Sequence, residues 1–232
     1  MRRKFNTNQL EQNLLKPLFK NSDIYKYATS ERVRKLLIYH HEKATYKLSE
    51  IPNVYAYLSE HRTVLEQRRD NSLKGALRRG RWDVIALPKI AINFDGPKIV
   101  APQRSKSNTF GYNEISWYAT SDVFFITNPE DGYTLKYILG LLNSKLYYVW
   151  LYNRGKRKGE NLELCQKPLS EIPIKKATPS QQQQIVDLVN KILATKKTDP
   201  NANTSALERE IDGIVYGLYG LTEEEIAVIE RV

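Results

Sequence analysis

Residues 134–153 constrain the fold of this chain more than any other stretch of it. The sequence TLKYILGLLNSKLYYVWLYN contains no acidic residue, and it carries aromatic side chains at Tyr147, Tyr148, Trp150 and Tyr152. Its apolar positions are too continuous to leave one whole face of a helix in water. We therefore predict one long and mostly buried helix over residues 134–153, which the core must surround.

A glycine-flanked run of cations follows the predicted helix. Arg154, Lys156, Arg157 and Lys158 lie in the string NRGKRKG, and Lys145 precedes them within the helix. Because no acidic residue interrupts these five cations, the pattern favours a polyanionic partner, most often nucleic acid. The glycines predict a mobile run that clamps phosphates. The alternative is that the run only complements the negative end of the helix and that Lys145 lies along apolar surface.

The composition is that of a basic globular protein. The 232 residues include 36 Lys and Arg against 26 Asp and Glu, which gives a net charge of +10. This excess favours phosphate backbones or anionic membranes as partners, although a merely soluble basic protein is the alternative. The single cysteine, Cys165, cannot form an internal disulfide, and no zinc-motif spacing occurs, so we expect a reducing, cytoplasmic setting without a metal site. No apolar run is long enough to span a membrane.

The periodicities predict an α+β fold, in which a mixed sheet domain with long helices is followed by a helical C-terminal tail. We place the boundary between a domain at 1–175 and a tail at 176–232. Helices are predicted at 52–70 and 178–196, each with a proline in its first turn, and two more close the chain, the last one opened by Thr222. Short strands are predicted at 34–40 and in the strings DVIALP, KIVAP, ISWYA, DVFFIT, LELCQ and IPI.

Several strings, taken in order, resemble a known family. They are IPNVYAYLSEHRTVLEQRRD, GRWDVIALP, KIVAPQRSKSNTFGY, WYATSDVFFIT, ILGLLNSKLYYVWLYNRGKRKG and LSEIPI, followed by a glutamine-rich helix. Their order and spacing resemble the C-terminal target recognition domain of TaqI-like adenine-specific DNA methyltransferases and type IIG restriction–modification enzymes. The similarity is weaker to the specificity subunits of type I systems. It runs from about residue 15 to the end of the chain.

The resemblance implies a bacterial module that recognises double-stranded DNA for a catalytic domain. In such enzymes a separate domain binds S-adenosylmethionine and carries an (N/D)PP(Y/F) motif. This sequence contains no NPPY-like string and no glycine-rich loop that could cradle a cofactor. We therefore expect no catalytic residue and no cofactor in this chain, which is either a fragment of a longer enzyme or a free-standing subunit.

The polar loop after KIVAP is the first candidate for reading bases. Arg104 and Lys106 could donate to guanine, and Gln103 and Asn108 could pair with adenine. Tyr112 extends this candidate site. The alternative is a solvated connection between two strands.

A second candidate contact precedes the sheet region. Arg78, Arg79 and Arg81 lie beside Trp82, and such a group can grip a DNA backbone and stack on a base. The alternative is that Trp82 belongs to the core and the arginines are only solvated.

Three functions are compatible with these patterns. The first is sequence-specific recognition of double-stranded DNA for an adenine-N6 methyltransferase or restriction–modification system. The second is a specificity-type subunit or docking protein, which binds a methyltransferase partner through its helical tail and contacts DNA only non-specifically. The third is an independent hydrolase or nuclease. It is disfavoured because Asp83, Asp95, Asp122 and Glu163 have no recognisable active-site spacing.

Overall fold

The computed structural model describes residues 9–86, 92–164 and 166–232, with only the backbone of Gln166. The chain forms two compact units. The first unit is Met1–Leu18 with Val33–Ile92, and the second is Phe19–Arg32 with Asn93–Val232. Helices and small antiparallel sheets make up the described residues, which confirms the predicted α+β class with its helical C-terminal region.

The first unit contains a strand pair and short helices. Strand β1 pairs antiparallel with β2, and a small core forms around Leu14 and Val54. The helix predicted over 52–70 begins at Pro52 as expected but is broken at His61, whose φ of −109° and ψ of 9° are not helical. The elements are β1 (Leu15–Phe19), β2 (Leu36–Ile38), α1 (Pro52–Ser59), α2 (Arg62–Glu66) and α3 (Lys74–Arg78).

Two predicted strands of the first unit need correction. The strand predicted as buried over 34–40 is only three residues long, and Leu36 is 47% exposed. Residues 83–86 of the string DVIALP form no strand, and its last two residues lie outside the described part of the chain. The carbonyls of Trp82 and Val84 accept hydrogen bonds from the Arg68 guanidinium instead.

The second unit holds two three-stranded antiparallel sheets. Strand β3 lies between β5 and β7 and is buried along its whole length. In the other sheet β9 lies between β4 and β8. The strands are β3 (Lys98–Pro102), β4 (Arg104–Ser105), β5 (Gly111–Asn113), β6 (Tyr118–Ala119), β7 (Val123–Ile126), β8 (Lys156–Lys158) and β9 (Asn161–Glu163). The predicted strand LELCQ is thus shorter, and IPI is not a strand.

Six described helices complete the second unit. Capping boxes at Thr178 and Thr222 begin α7 and α9, as the sequence predicted. None of the described helices has both the length and the apolar character needed to cross a membrane. The helices are α4 (Leu135–Asn143), α5 (Lys145–Arg154), α6 (Gln166–Ser170), α7 (Pro179–Thr198), α8 (Ser205–Tyr219) and α9 (Glu223–Glu230).

The single long helix predicted over 134–153 is two helices. Ser144 lies between α4 and α5 with a ψ of 161°, so the helical hydrogen-bond ladder stops there. Neighbouring groups replace the lost bonds: Asp212 accepts from the Lys145 N–H at 2.7 Å, and Asn108 donates to the Ser144 carbonyl at 2.8 Å. Partners distant in sequence therefore decide the break.

The C-terminal helices share the core of the sheet-bearing unit. A Cβ on Gly140 of α4 would lie 2.4 Å from the Ile185 side chain, so glycine allows α7 to pack closely. Ile185, Val189 and Ile211 are fully buried in the same cluster as Ile99 of β3. Compact packing therefore continues across residue 175. The proposed functional division at that residue stays a prediction.

Candidate nucleic-acid interface

Two buried asparagines fasten the segment before β5 to the junction of α4 and α5. The Asn143 amide accepts from the Phe110 N–H at 3.0 Å and donates to the Phe110 carbonyl at 2.9 Å. The Asn108 amide donates to the carbonyls of Leu142 and Ser144 at 2.7 and 2.8 Å. The strings SNTFGY and LLNSKL, which carry much of the family resemblance, therefore hold each other through reciprocal hydrogen bonds.

This arrangement places one predicted site residue, Asn108, in the interior of the fold. Asn108 is only 3% exposed, and both donors of its amide are used by backbone carbonyls. An amide in that state cannot pair with adenine. Its role in this fold is to fix the loop that precedes β5 relative to the start of α5.

The predicted mobile run of cations is an ordered β-hairpin, which we call the basic hairpin (residues 156–163). Strands β8 and β9 pair in the register Lys158↔Asn161, so the turn has two residues. Gly159 opens that turn with φ +62°, a conformation that favours glycine. At Gly155, a Cβ would lie 2.5 Å from the Leu151 carbonyl oxygen, so α5 can turn into β8 only with glycine there.

One face of this sheet carries cations around a single carboxylate. Arg104 and Lys156 both lie directly opposite Glu163, so these three residues share a face. The Arg104 Nε and Nη2 atoms lie 3.3 and 3.2 Å from Glu163 Oε1. Lys158 follows Lys156 by two residues and belongs to the same face. We call Arg104, Lys156, Lys158 and Glu163 the basic sheet face.

The remaining cations of this region are also available at the surface. Arg157, on the opposite side of β8, stacks its guanidinium 4.2 Å from the centre of the Tyr152 ring. Arg154 and Lys106 are exposed and form no ion pair among the described residues. Gln103 is half-buried; its N–H donates to the Asp122 carbonyl and its own carbonyl accepts from the Leu164 N–H. These predicted residues therefore lie within β8 or within two residues of a strand of this sheet.

Two other predicted contact residues, Lys145 and Tyr112, have hydrogen-bond partners within the chain. The Lys145 ammonium donates to the Glu230 carbonyl at 2.8 Å and to its carboxylate at 2.9 Å, so it fastens α5 to α9. The Tyr112 hydroxyl donates to Glu114 at 2.6 Å, and Lys136 lies 5.7 Å from its ring centre. Burial, reinforced by Glu114, raises the pKa of Tyr112 well above its ordinary value. Tyr112 therefore lies in a local polar cluster on β5 and not in the loop that contains Arg104.

The three arginines of the first unit are not equivalent. Arg79 pairs with both oxygens of Glu42 at 2.9 and 3.0 Å, whereas Arg78 is exposed and has no ion pair among the described residues. Arg81 donates to both oxygens of Asp83 at 3.1 and 3.2 Å. Trp82 is 4% exposed, so the core interpretation of this residue is the correct one.

A buried polar network lies next to Arg81, and no sequence pattern indicated it. His40 Nε2 lies 2.6 Å from Asp83, and His40 Nδ1 lies 2.9 Å from the Tyr46 hydroxyl. Burial by itself would raise the pKa of Asp83, but the hydrogen bonds from His40 and Arg81 hold that pKa well below its usual range. Since His40 and Asp83 are 43 positions apart, no local motif joins them.

A family model described as the TaqI-like C-terminal specificity domain matches residues 16–174. Among curated proteins, Type II methyltransferase M.MjaIV of Methanocaldococcus jannaschii is 24% identical over 213 residues, which are 90% of this chain and 69% of that protein. Type II methyltransferase M.HincII of Haemophilus influenzae is 29% identical over 129 residues, or 50% of this chain. That match spans only 26% of M.HincII, so this chain corresponds to a minor part of its length.

A solved structure shares the fold. The Type IIL restriction–modification enzyme MmeI, solved in complex with DNA, superposes with a TM-score of 0.66 over 93% of this chain and 30% of that one, at 15% identity. The family match confirms the resemblance inferred from the sequence strings.

Proposed function

Because the chain belongs to the family of TaqI-like C-terminal specificity domains, we propose that it reads a specific sequence in double-stranded DNA for an adenine-N6 methyltransferase or restriction–modification enzyme. In this proposal the chain selects the site and holds it for a catalytic domain. S-adenosylmethionine binds that catalytic domain and not this chain. The relatives named as type II methyltransferases support the choice of system.

The basic sheet face is the observation that carries the proposal. Its cations lie on paired strands and not on a mobile tail, so they meet DNA in a fixed arrangement, which lowers the entropy lost on binding. Lys156 and Lys158, with Arg154 and Arg157 nearby in sequence, contact phosphates and set the register of the duplex. These contacts supply affinity but little sequence information.

Arg104 is the residue that we assign to base reading. Glu163 accepts from its Nε and Nη2 atoms, and Nη1 makes no hydrogen bond within the described residues. A guanidinium aimed by a carboxylate can still approach guanine O6 and N7, the commonest specific contact in a major groove. Gln103 and Lys106 flank it in sequence and take secondary roles. Glu163 acts as a positioning residue for Arg104.

The competing docking function loses one of the two sequence features that motivate it, the amphipathic pattern of residues 178–196; the other, the glycine-punctuated string SALEREIDGIVYGLYGL, remains. The amphipathic pattern of α7 suggested an apolar face for a partner protein. That face is covered by the second unit itself, since Ile185, Val189 and Ile192 are each 0% exposed. This apolar face of α7 is therefore not free to bind the catalytic partner.

A binding-selection experiment tests the proposal. The purified chain is incubated with a random-sequence duplex pool at about 150 mM salt, and the retained DNA is sequenced. We expect one enriched motif, bound roughly 1,000-fold or more above random DNA. Arg104→Ala should relax the motif at one position, at a cost of about 1–3 kcal/mol. Lys191→Ala, which removes an exposed lysine of α7, is the matched control. Retention without any enriched motif would contradict sequence reading.

A further inference from the structure

The positive charge of the chain is concentrated in the first unit. Its sequence ranges, 1–18 and 33–92, contain 16 Lys and Arg against 7 Asp and Glu, a net charge of +9. The remaining ranges contain 20 against 19, a net charge of +1. Among the residues that the structure describes, the first unit keeps 12 cations and all 7 carboxylates, or +5. The second unit, which bears the basic sheet face, is therefore nearly neutral as a whole.

Most carboxylates of the first unit are already engaged. Glu42 pairs with Arg79, Glu66 pairs with Arg62, and Asp83 is buried against Arg81. Glu11 accepts instead from the backbone of Val54. Seven further cations are exposed and form no ion pair within the described part of this unit: Arg34, Lys35, Lys43, Lys47, Arg69, Lys74 and Arg78.

A cavity of about 330 Å³ lies beside one of these cations, Lys47. Its lining includes His41, Lys47 and Arg81, together with Glu42, whose carboxylate is held by Arg79. The His41 Nδ1 atom is buried and has no hydrogen-bond partner among the described residues. Burial lowers the pKa of His41, and the nearby charges of His40 and Lys43 lower it further.

Arg81 is held rigidly at this cavity. Its Nε and Nη2 atoms bind Asp83, which in turn binds the buried His40. Its Nη1 atom makes no hydrogen bond within the described residues. A preorganised arginine beside a lysine, with one donor unused among the described residues, suits a phosphate group.

We propose that the first unit is a separate DNA-binding surface that grips the phosphate backbone, and that the cavity lined by Arg81 and Lys47 receives one phosphate. The inference rests on the proposed function in taking duplex DNA as the polyanion. In this inference the first unit supplies most of the salt-dependent affinity for DNA, and the second unit supplies the sequence preference. Phosphate contacts of this kind hold a protein on DNA without reading bases.

The test is the salt dependence of DNA binding by the full chain. Dissociation constants are measured between about 50 and 300 mM salt for duplexes with and without the selected motif. The test variant combines Lys43→Ala, Lys47→Ala and Arg78→Ala. The control variant removes three exposed cations of the second unit, through Lys176→Ala, Lys191→Ala and Lys197→Ala. Lys47→Arg should retain binding, whereas Lys47→Glu should lose more than Lys47→Ala does.

We expect the test variant to reduce the slope of log affinity against log salt by about 2–3, since each lost phosphate contact removes about 0.9. The control should change it by less than about 1, and the affinity ratio between the two duplexes should not change. Equal slopes for the two triple variants, or no effect of the test variant, would overturn the inference. Circular dichroism checks that both remain folded; unfolding of the exposed-site test variant would also count against a surface role.

The two proposals can fail separately. If the wild-type chain selects no motif but the test variant still lowers the slope more than the control, sequence reading is wrong and the phosphate-binding first unit stands. If a motif is selected and the slope is unaffected, the first unit is not a DNA surface and the proposed function stands. A wild-type chain that retains no DNA refutes both.

Discussion

At the scale of single residues, side chains that look suited to DNA divide into those that hold the protein together and those that remain available. Asn108 and Lys145 have the chemistry of DNA-binding residues, yet their donors are used by Ser144 and Glu230. Arg104 also has a protein partner, but Glu163 leaves one of its nitrogens free and orients the group. Residue type alone could not separate these cases, because each partner lies at least 34 positions away.

Lys98 is a further cation whose donors are used within the protein, and it gives a prediction for the pH dependence of stability. Its ammonium is fully buried and donates to the carbonyls of Gly96 and Ile115, both at 2.6 Å. Burial lowers the pKa of Lys98 to about 8, although Asp95 opposes the shift. Between about pH 8 and 10.5 the unfolded chain therefore still binds a proton that the folded chain has released, so this residue makes stability rise with pH in that window.

The measurement compares wild type with Lys98→Met, which has a similar length and cannot titrate. We expect the free energy of unfolding of wild type, relative to the variant, to increase by about 2 kcal/mol from pH 8 to pH 10. Urea titrations at several pH values give this difference, and the ionisation of tyrosines cancels because both proteins contain the same ones. A difference that is flat or that falls with pH would show that Lys98 keeps its proton in the fold.

At the scale of elements, the sequence predicted where helices begin better than it predicted where they break. The helix start at Pro179 and the caps at Thr178 and Thr222 depend on local chemistry, and they were predictable. The break at Ser144 depends on Asn108 and Asp212, which a local pattern cannot reveal. The basic hairpin was interpreted as a flexible run because glycine signals both flexibility and tight turns, and only the pairing partner β9 distinguishes them.

The steric role of Gly155 gives a prediction for this hairpin. Gly155→Ala places a Cβ 2.5 Å from the Leu151 carbonyl oxygen, a backbone atom that cannot move without distorting α5. We expect a loss of roughly 1–3 kcal/mol in stability, and weaker DNA binding because the cations of β8 shift. Gly213→Ala is the control. It lies inside α8 with open space around its Cβ, so it should be neutral or should stabilise by about 0.5–1 kcal/mol. Chemical denaturation of the two variants measures both effects; equal stabilities would refute the steric argument.

At the scale of the whole molecule, neither the net charge nor the core follows the order of the sequence. Helices α7 and α8 share one hydrophobic core with β3, and most of the net charge belongs to a unit made from two separate stretches of sequence. The sequence pattern predicts only a sheet region followed by a helical tail. The sequence pattern does not reveal that residues 19–32 belong to the second unit, because that arrangement depends on long-range contacts.

The integration of the C-terminal helices makes truncation a decisive measurement on the whole molecule. A chain ending at residue 198 loses α8 and α9, including the fully buried Ile211 and Val215, and leaves Lys26 without its partner Glu208 at 2.5 Å. Burial of each apolar side chain contributes about 1.5–3 kcal/mol, so we expect Tm to fall by roughly 10 °C or more. Removal of only the last two residues, both exposed, should leave Tm unchanged. If the truncated chain instead kept its Tm and its DNA affinity, the last helices would be an appendage to the second unit, as a detachable docking tail requires. Thermal unfolding followed by circular dichroism, with DNA affinity measured in parallel, separates these outcomes.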